Sequence, residues 1–158
     1  MNGNCHFWFG TTVGFATASL FRLESYEAIA CISTCILGSI FPDIDNPVSN
    51  MGQLSVPIST IIGKIQKRNG RHGSHHRWVF HDVSIYATGL YLCYRFYPSM
   101  LGFFIGTLSH LFLDFFNPDG IRFFGIPVRL FRIKSGGVGS IILTWLFCIG
   151  ILVFVLMR

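Results

Sequence analysis

Charge is scarce in this chain. Of its 158 residues only 12% are charged, while 51% are hydrophobic. About a quarter of an average soluble domain is charged, so the surface is too poor in ions for an ordinary water-soluble fold. Paired cysteine motifs are also missing. Cys5, Cys31, Cys35, Cys93 and Cys148 lie in or beside apolar runs and none forms a CxxC pair. That excludes a disulfide framework and a zinc knuckle and leaves buried packing as the ordinary role of these thiols. The opening "MNGNCHFWFG" has no basic stretch and no small-residue cleavage site, so it is expected to stay as a helix rather than act as a removed signal. There is no internal repeat and no low-complexity segment.

What is present points to lipid. The mean hydropathy is +0.55. Seventeen Phe accompany 17 Gly, and Gly is commoner in membrane helices than in soluble ones. Five apolar segments stand out, at residues 7–21, 26–42, 78–97, 99–117 and 138–157. Only the last is a clean span by length, since a crossing takes ~20 apolar residues. The expected fold is all-α: one domain over residues 1–158, a polytopic membrane bundle of about five apolar helices. An interfacial helix is added at "VPISTIIGKIQKR", where Ile58, Ile61, Ile62 and Ile65 form a stripe away from Lys64, Lys67 and Arg68.

Basic residues orient this bundle. Lys64, Lys67, Arg68, Arg71 and Arg77 follow the second segment, and Arg122, Arg129, Arg132 and Lys134 follow the fourth. With five crossings these nine of the twelve basic residues share the side of the N-terminus. The positive-inside rule then places the N-terminus in the cytoplasm and the C-terminus outside. The +5 net charge faces that membrane surface, and no nucleic-acid partner is expected, because the cations flank apolar spans. "IRFFGIPVRLFRIK" alternates basic and aromatic residues and is suited to docking on headgroups or covering a site.

The histidines fall on the same side. His6 opens the first segment and "FPDIDNP", with Asp43 and Asp45, ends the second. "RHGSHHRWVFHD" leads into the third, and His110 and Asp114 lie one turn apart near the end of the fourth. An ionisable group at the bilayer centre costs ~2.5–3.5 kcal/mol on insertion scales, so such groups turn inward and pair. One His–Asp pair could be structural. Four segments each sending His or Asp to one end of a bundle point instead to a divalent ion, for which imidazole and carboxylate are ordinary ligands. Zinc is the first expectation, with manganese or iron as alternatives. A bound ion lowers the pKa of its water to about 7 and so supplies a nucleophile at neutral pH.

In order and spacing, "CHFWFG", "FPDIDNPVSNMGQ", "GRHGSHHRW" and "GTLSHLFLDFFNPDG" resemble the YdjM-like membrane-bound metal-dependent hydrolases. That family is similar at a distance to the zinc-dependent phospholipases C and the P1-type nucleases. The resemblance implies metal ligation by His6, Asp43, His76, His110 and Asp114. It offers no counterpart here for the later ligands of a three-zinc cluster, which implies one ion or two. The loop departs from the family pattern, because the His and Arg before Gly73 are exchanged.

The expectation is therefore a membrane metallohydrolase acting on a lipid or lipid-linked phosphoester or ester at the cytoplasmic leaflet. Asp45, His72 and His6 are candidate catalytic residues, and Arg71, Arg77 and Asn117 candidate substrate contacts. His81, beside Asp82, reads as a satisfied interfacial histidine. The rivals are a metal transporter or sensor using the same ligands, and a structural or adaptor protein whose His–Asp network only packs helices.

Overall fold

A computed structural model describes residues 3–46, 49–68, 80–96, 100–134 and 136–158. Among them are seven α-helices and one two-stranded hairpin. The helices are α1 (Gly3–Leu20), α2 (Ser25–Ile40), α3 (Asn50–Leu54), α4 (Val56–Arg68), α5 (Val83–Phe96), α6 (Leu101–Asp114) and α7 (Val138–Leu156). A 3-10 turn, Phe41–Asp45, continues α2, and the strands β1 (Ile121–Phe123) and β2 (Ile126–Val128) lie between α6 and α7. Each of the five apolar segments thus holds a helix, and α4 covers the expected amphipathic stretch. The hairpin is an addition to the all-α expectation. Basic–aromatic alternation had marked its residues without marking them as strands.

Two helices are long and apolar enough to cross a membrane: Ser25–Ile44, of 20 residues, and Val138–Leu156, of 19. α6 is apolar but has 14 residues, about 21 Å at the α-helical rise, against a hydrocarbon core of ~30 Å.

α7 is inside out compared with a helix in water. Its buried positions are Ser140, Thr144 and Cys148, at every fourth residue. Ile142, Trp145, Leu146, Ile149 and Phe154 face outward. A water-facing helix turns its polar stripe outward; this one gives small and hydroxyl side chains to the bundle and leaves the greasy ones for lipid. The buried hydroxyls are satisfied within their own helices. Thr144 donates to the Ser140 carbonyl at 2.8 Å and Thr107 to that of Phe103 at 2.8 Å.

Close helix approach depends on missing side chains. α2 packs against both α1 and α6. A Cβ on Gly38 would come within 2.0 Å of the Phe103 carbonyl oxygen, and one on Gly106 within 2.0 Å of that of Cys35. Only glycine lets the α2 and α6 backbones come this near. Below this contact, Cys5, Phe9, Leu113, Phe116 and Cys148 form the apolar core joining α1, α6 and α7. The C-terminal ends of α2 and α6 and the N-terminal end of α1 consequently meet.

Candidate metal centre

Among the described residues, five ionisable side chains meet at that end. His6 comes from the first turns of α1 and Asp43 from the turn after α2. His81 stands two residues before α5, and His110 and Asp114 sit one turn apart at the end of α6. The side chains of His6, His81, His110 and Asp114 are at most 1% exposed and that of Asp43 is 15% exposed, so among the described residues the group opens to solvent at Asp43.

The local chain explains each placement. Pro42 starts the 3-10 turn, where its fixed φ and missing N–H are tolerated. The Asp43 carbonyl then accepts from the Asn46 N–H at 3.0 Å and from the Ser49 hydroxyl at 2.6 Å, which fastens the turn to α3. His110 Nδ1 lies 2.7 Å from the Ser39 carbonyl oxygen. That carbonyl sits in the last turn of α2, where intrahelical donors run out. A carbonyl can only accept, so Nδ1 carries a proton, and in the neutral tautomer this selects, the lone pair is on Nε2.

Nε2 of His110 faces the two carboxylates. It is 3.8 Å from Asp43 Oδ1 and 3.5 Å from Asp114 Oδ2. Nε2 of His81 is 3.7 Å and 3.3 Å from the same two atoms. Each imidazole Nε2 thus stands 3.3–3.8 Å from both carboxylates. Ligands 2.0–2.1 Å from a tetrahedral ion stand roughly 3.3–3.4 Å apart, so these separations are close to those of groups that share a divalent ion. The donors are also chemically right: two imidazoles and two carboxylates suit zinc, and carboxylate-rich sites extend the fit to manganese and iron.

His6 stands beside this set. Its ring stacks on His110 with centroids 3.7 Å apart, and its Nε2 is 3.4 Å from Asp114 Oδ1. Neither ring nitrogen has a hydrogen-bond partner among the described residues, nor does His110 Nε2. Buried polar atoms of this kind call for a partner, and a cation supplies one for the His110 nitrogen. His6, Asp43 and His110 form a second triad of closely spaced donors, overlapping that of His81, His110 and Asp114. The shared His110 lone pair can serve only one ion. His6 and Asp43 also line a cavity of ≈ 110 Å³ with Asn4, Phe7, Ser49 and Met51, which gives the centre an approach path.

Support comes from behind. The Asn117 side-chain amide donates to Asp114 Oδ1, which leaves Oδ2 turned toward the two Nε2 atoms. Asn117 is fully buried. Its amide braces Asp114 from behind, and it offers no exposed surface for the substrate contact expected of it. The second correction concerns His81, which is a member of the cluster and not an interfacial histidine. Asp82, its apparent partner in the sequence, faces the other way. Its Oδ1 accepts from the Ser84 N–H at 2.9 Å, capping α5, and its Oδ2 from the Gly125 N–H at 2.7 Å. Burial pushes the Asp82 carboxyl up, but these N–H groups outweigh it and hold it below the ordinary value of 3.8. The hairpin is thereby fastened to the start of α5, and the Arg122 N–H donates to the His81 carbonyl at 2.8 Å. Both contacts turn the His81 ring into the bundle. Adjacent ionisable residues in a sequence give no sign of this divergence.

His72, His76, Arg71 and Arg77 lie outside the described residues, as does the side chain of Asp45. His6, Asp43, His110 and Asp114 are brought together from four of the expected positions.

No curated protein and no solved structure matches this chain. One family does, over residues 1–158. With two membrane-capable helices, an α7 whose apolar side chains point outward and a buried His/Asp centre able to hold a metal, the match has a physical basis: the chain belongs to the YdjM inner membrane protein family.

Proposed function

We propose that this protein is a multi-pass membrane hydrolase that uses a divalent metal, zinc first, to cleave a phosphoester or ester of a lipid or lipid-linked substrate at the cytoplasmic leaflet. The observation that carries this reading is the buried meeting of His81, His110, Asp43 and Asp114, each imidazole Nε2 3.3–3.8 Å from both carboxylates, with cavity-lining His6 beside it. A structural site is closed by its protein ligands, whereas a catalytic one keeps an open approach. The cavity along Asp43 supports the second kind.

In this reading His81, His110 and Asp114 hold the ion, and the fourth position, beside Asp43 at the cavity, is left for water. When bound, the ion contributes Lewis acidity and a water of lowered pKa. His6 is the general base. Both its ring nitrogens are uncommitted among the described residues and one of them faces Asp114, which orients the ring and stabilises the imidazolium it becomes on taking a proton. Phe7 and Met51, on the cavity wall, exclude water and suit the apolar part of an amphiphile. The cytoplasmic placement and the inward N-terminus rest on the asymmetry of Lys and Arg.

The test is release of a headgroup or phosphate from lipid phosphoesters by metal-loaded protein in nanodiscs, wild type beside His6→Gln. Expected is turnover in the wild type and a loss of ~10²–10⁴-fold in the variant, the usual contribution of a general base, with metal content kept. Equal rates in both proteins, or metal-loaded protein inert toward every phosphoester and ester lipid tried, would overturn the reading.

A further inference from the structure

The hairpin exposes what a soluble loop would hide. Phe123 and Phe124 are 50% and 76% exposed, and their rings meet edge to face with centroids 4.9 Å apart. Phe124 has φ +49° and Gly125 φ +77°, the pair of positive values that a type I′ turn demands. Asn, Asp or Gly ordinarily fills the first of these positions. A bulky aromatic residue there is an outlier, and such strain gathers at working surfaces. In water this tip carries both backbone strain and bare aromatic area.

Its flanks are cationic. Residues 121–134 include Arg122, Arg129, Arg132 and Lys134 and no acidic residue. Arg129, Arg132 and Lys134 are exposed, and Leu130 and Phe131 between them are 53% and 56% exposed. Membrane-surface elements combine apolar tips with basic flanks in this way. The segment is also in the right place. It leaves α6 at the metal-centre end of the bundle and runs into α7, whose lipid-facing span begins at Val138.

We propose that residues 121–134 form a docking surface for an anionic lipid leaflet, with Phe123 and Phe124 immersed among the acyl chains and Arg132 and Lys134 on the headgroup phosphates. Such a surface gives the aromatic tip an apolar partner and the cations a complementary charge. It also holds the hairpin, and through the Arg122–His81 bond the start of α5, at a fixed height against the bilayer. The proposal stands on the hairpin alone and does not require a bound metal.

The experiment places Phe124→Trp protein in nanodiscs of phosphatidylglycerol and phosphatidylcholine in equal parts, with lipids brominated near the glycerol or near the chain end. The signal of the added indole is read as the difference from wild type. Immersion predicts blue-shifted emission that is quenched most by bromine near the glycerol. Pure phosphatidylcholine discs, or Arg132→Gln with Lys134→Gln, are expected to weaken that quenching at least two-fold. Solvent-like emission insensitive to bromine in the anionic discs overturns the proposal, as does quenching that ignores both headgroup charge and the two substitutions. Phe124→Asn, which suits the turn, serves as a control for folding. If it abolishes the expressed fold, the hairpin is a structural element rather than a docking surface, and the proposal is likewise overturned.

Discussion

The imidazole of His110 closes the end of α2 by donating from Nδ1 to the carbonyl oxygen of Ser39, 2.7 Å away. One contact thereby ties two helices together, fills an orphan acceptor and sets which nitrogen of the ring is left for a cation. It works only while α2 and α6 stay close. Gly38, the neighbour of Ser39, sets that closeness. Gly38→Ala is expected to push the helices apart and to cost about 1–3 kcal/mol, the usual range for overpacking. Gly150→Ala, in α7 where an added Cβ meets nothing within 4 Å, is expected to be neutral or slightly stabilising. Thermal unfolding of both variants in detergent checks this; equal midpoints would contradict it.

Asn117 is expected to matter for metal affinity and little for the fold. Its amide fixes the Asp114 carboxylate from behind, and removing such supports typically costs 10–100-fold in affinity. Asn117→Ala should therefore bind zinc roughly 10–100-fold more weakly in competition with a metallochromic chelator, with unchanged circular dichroism. Unaltered affinity would remove Asn117 from the centre.

Asp82 clamps the hairpin to α5. Its folded pKa lies below the ordinary 3.8, so the clamp is fully present above that pH and is lost as pH falls through the folded value. Asp82→Asn keeps the shape of the side chain and removes its charge. It is expected to speed hydrogen exchange at the Gly125 and Phe124 amides several-fold at neutral pH, leaving α2 and α6 unaffected. Wild-type protection of these two amides, taken relative to intrinsic exchange, should hold until pH falls below the ordinary carboxylate range. A variant as protected as wild type would show that the strands hold themselves.

The residues themselves announced much of this centre. His6, Asp43, His110 and Asp114 stand at the ends of apolar runs, where an ionisable group is costly, and counting loop charges alone puts them at one end. His81 was misread because its polar neighbour Asp82 suggests a local role, whereas its direction depends on long-range bonds that join residues 81–84 to the hairpin some forty positions later. The hairpin was legible as composition but not as strands, because three-residue strands leave almost no period to detect. Helix lengths were overestimated at the fourth segment, where the polar turn after Asp114 ends α6 earlier than its hydropathy does.

The central claim is that the buried His/Asp set holds a divalent ion, and elemental mass spectrometry of the purified protein tests it most directly. The comparison is wild type against Asp114→Ala and His81→Ala. The account predicts about one ion per chain in the wild type and its loss in both variants, including the His81 variant that the sequence alone would have left intact. A wild-type protein that stays metal-free after incubation with zinc or manganese would contradict it, and would leave the cluster as helix-packing polar groups.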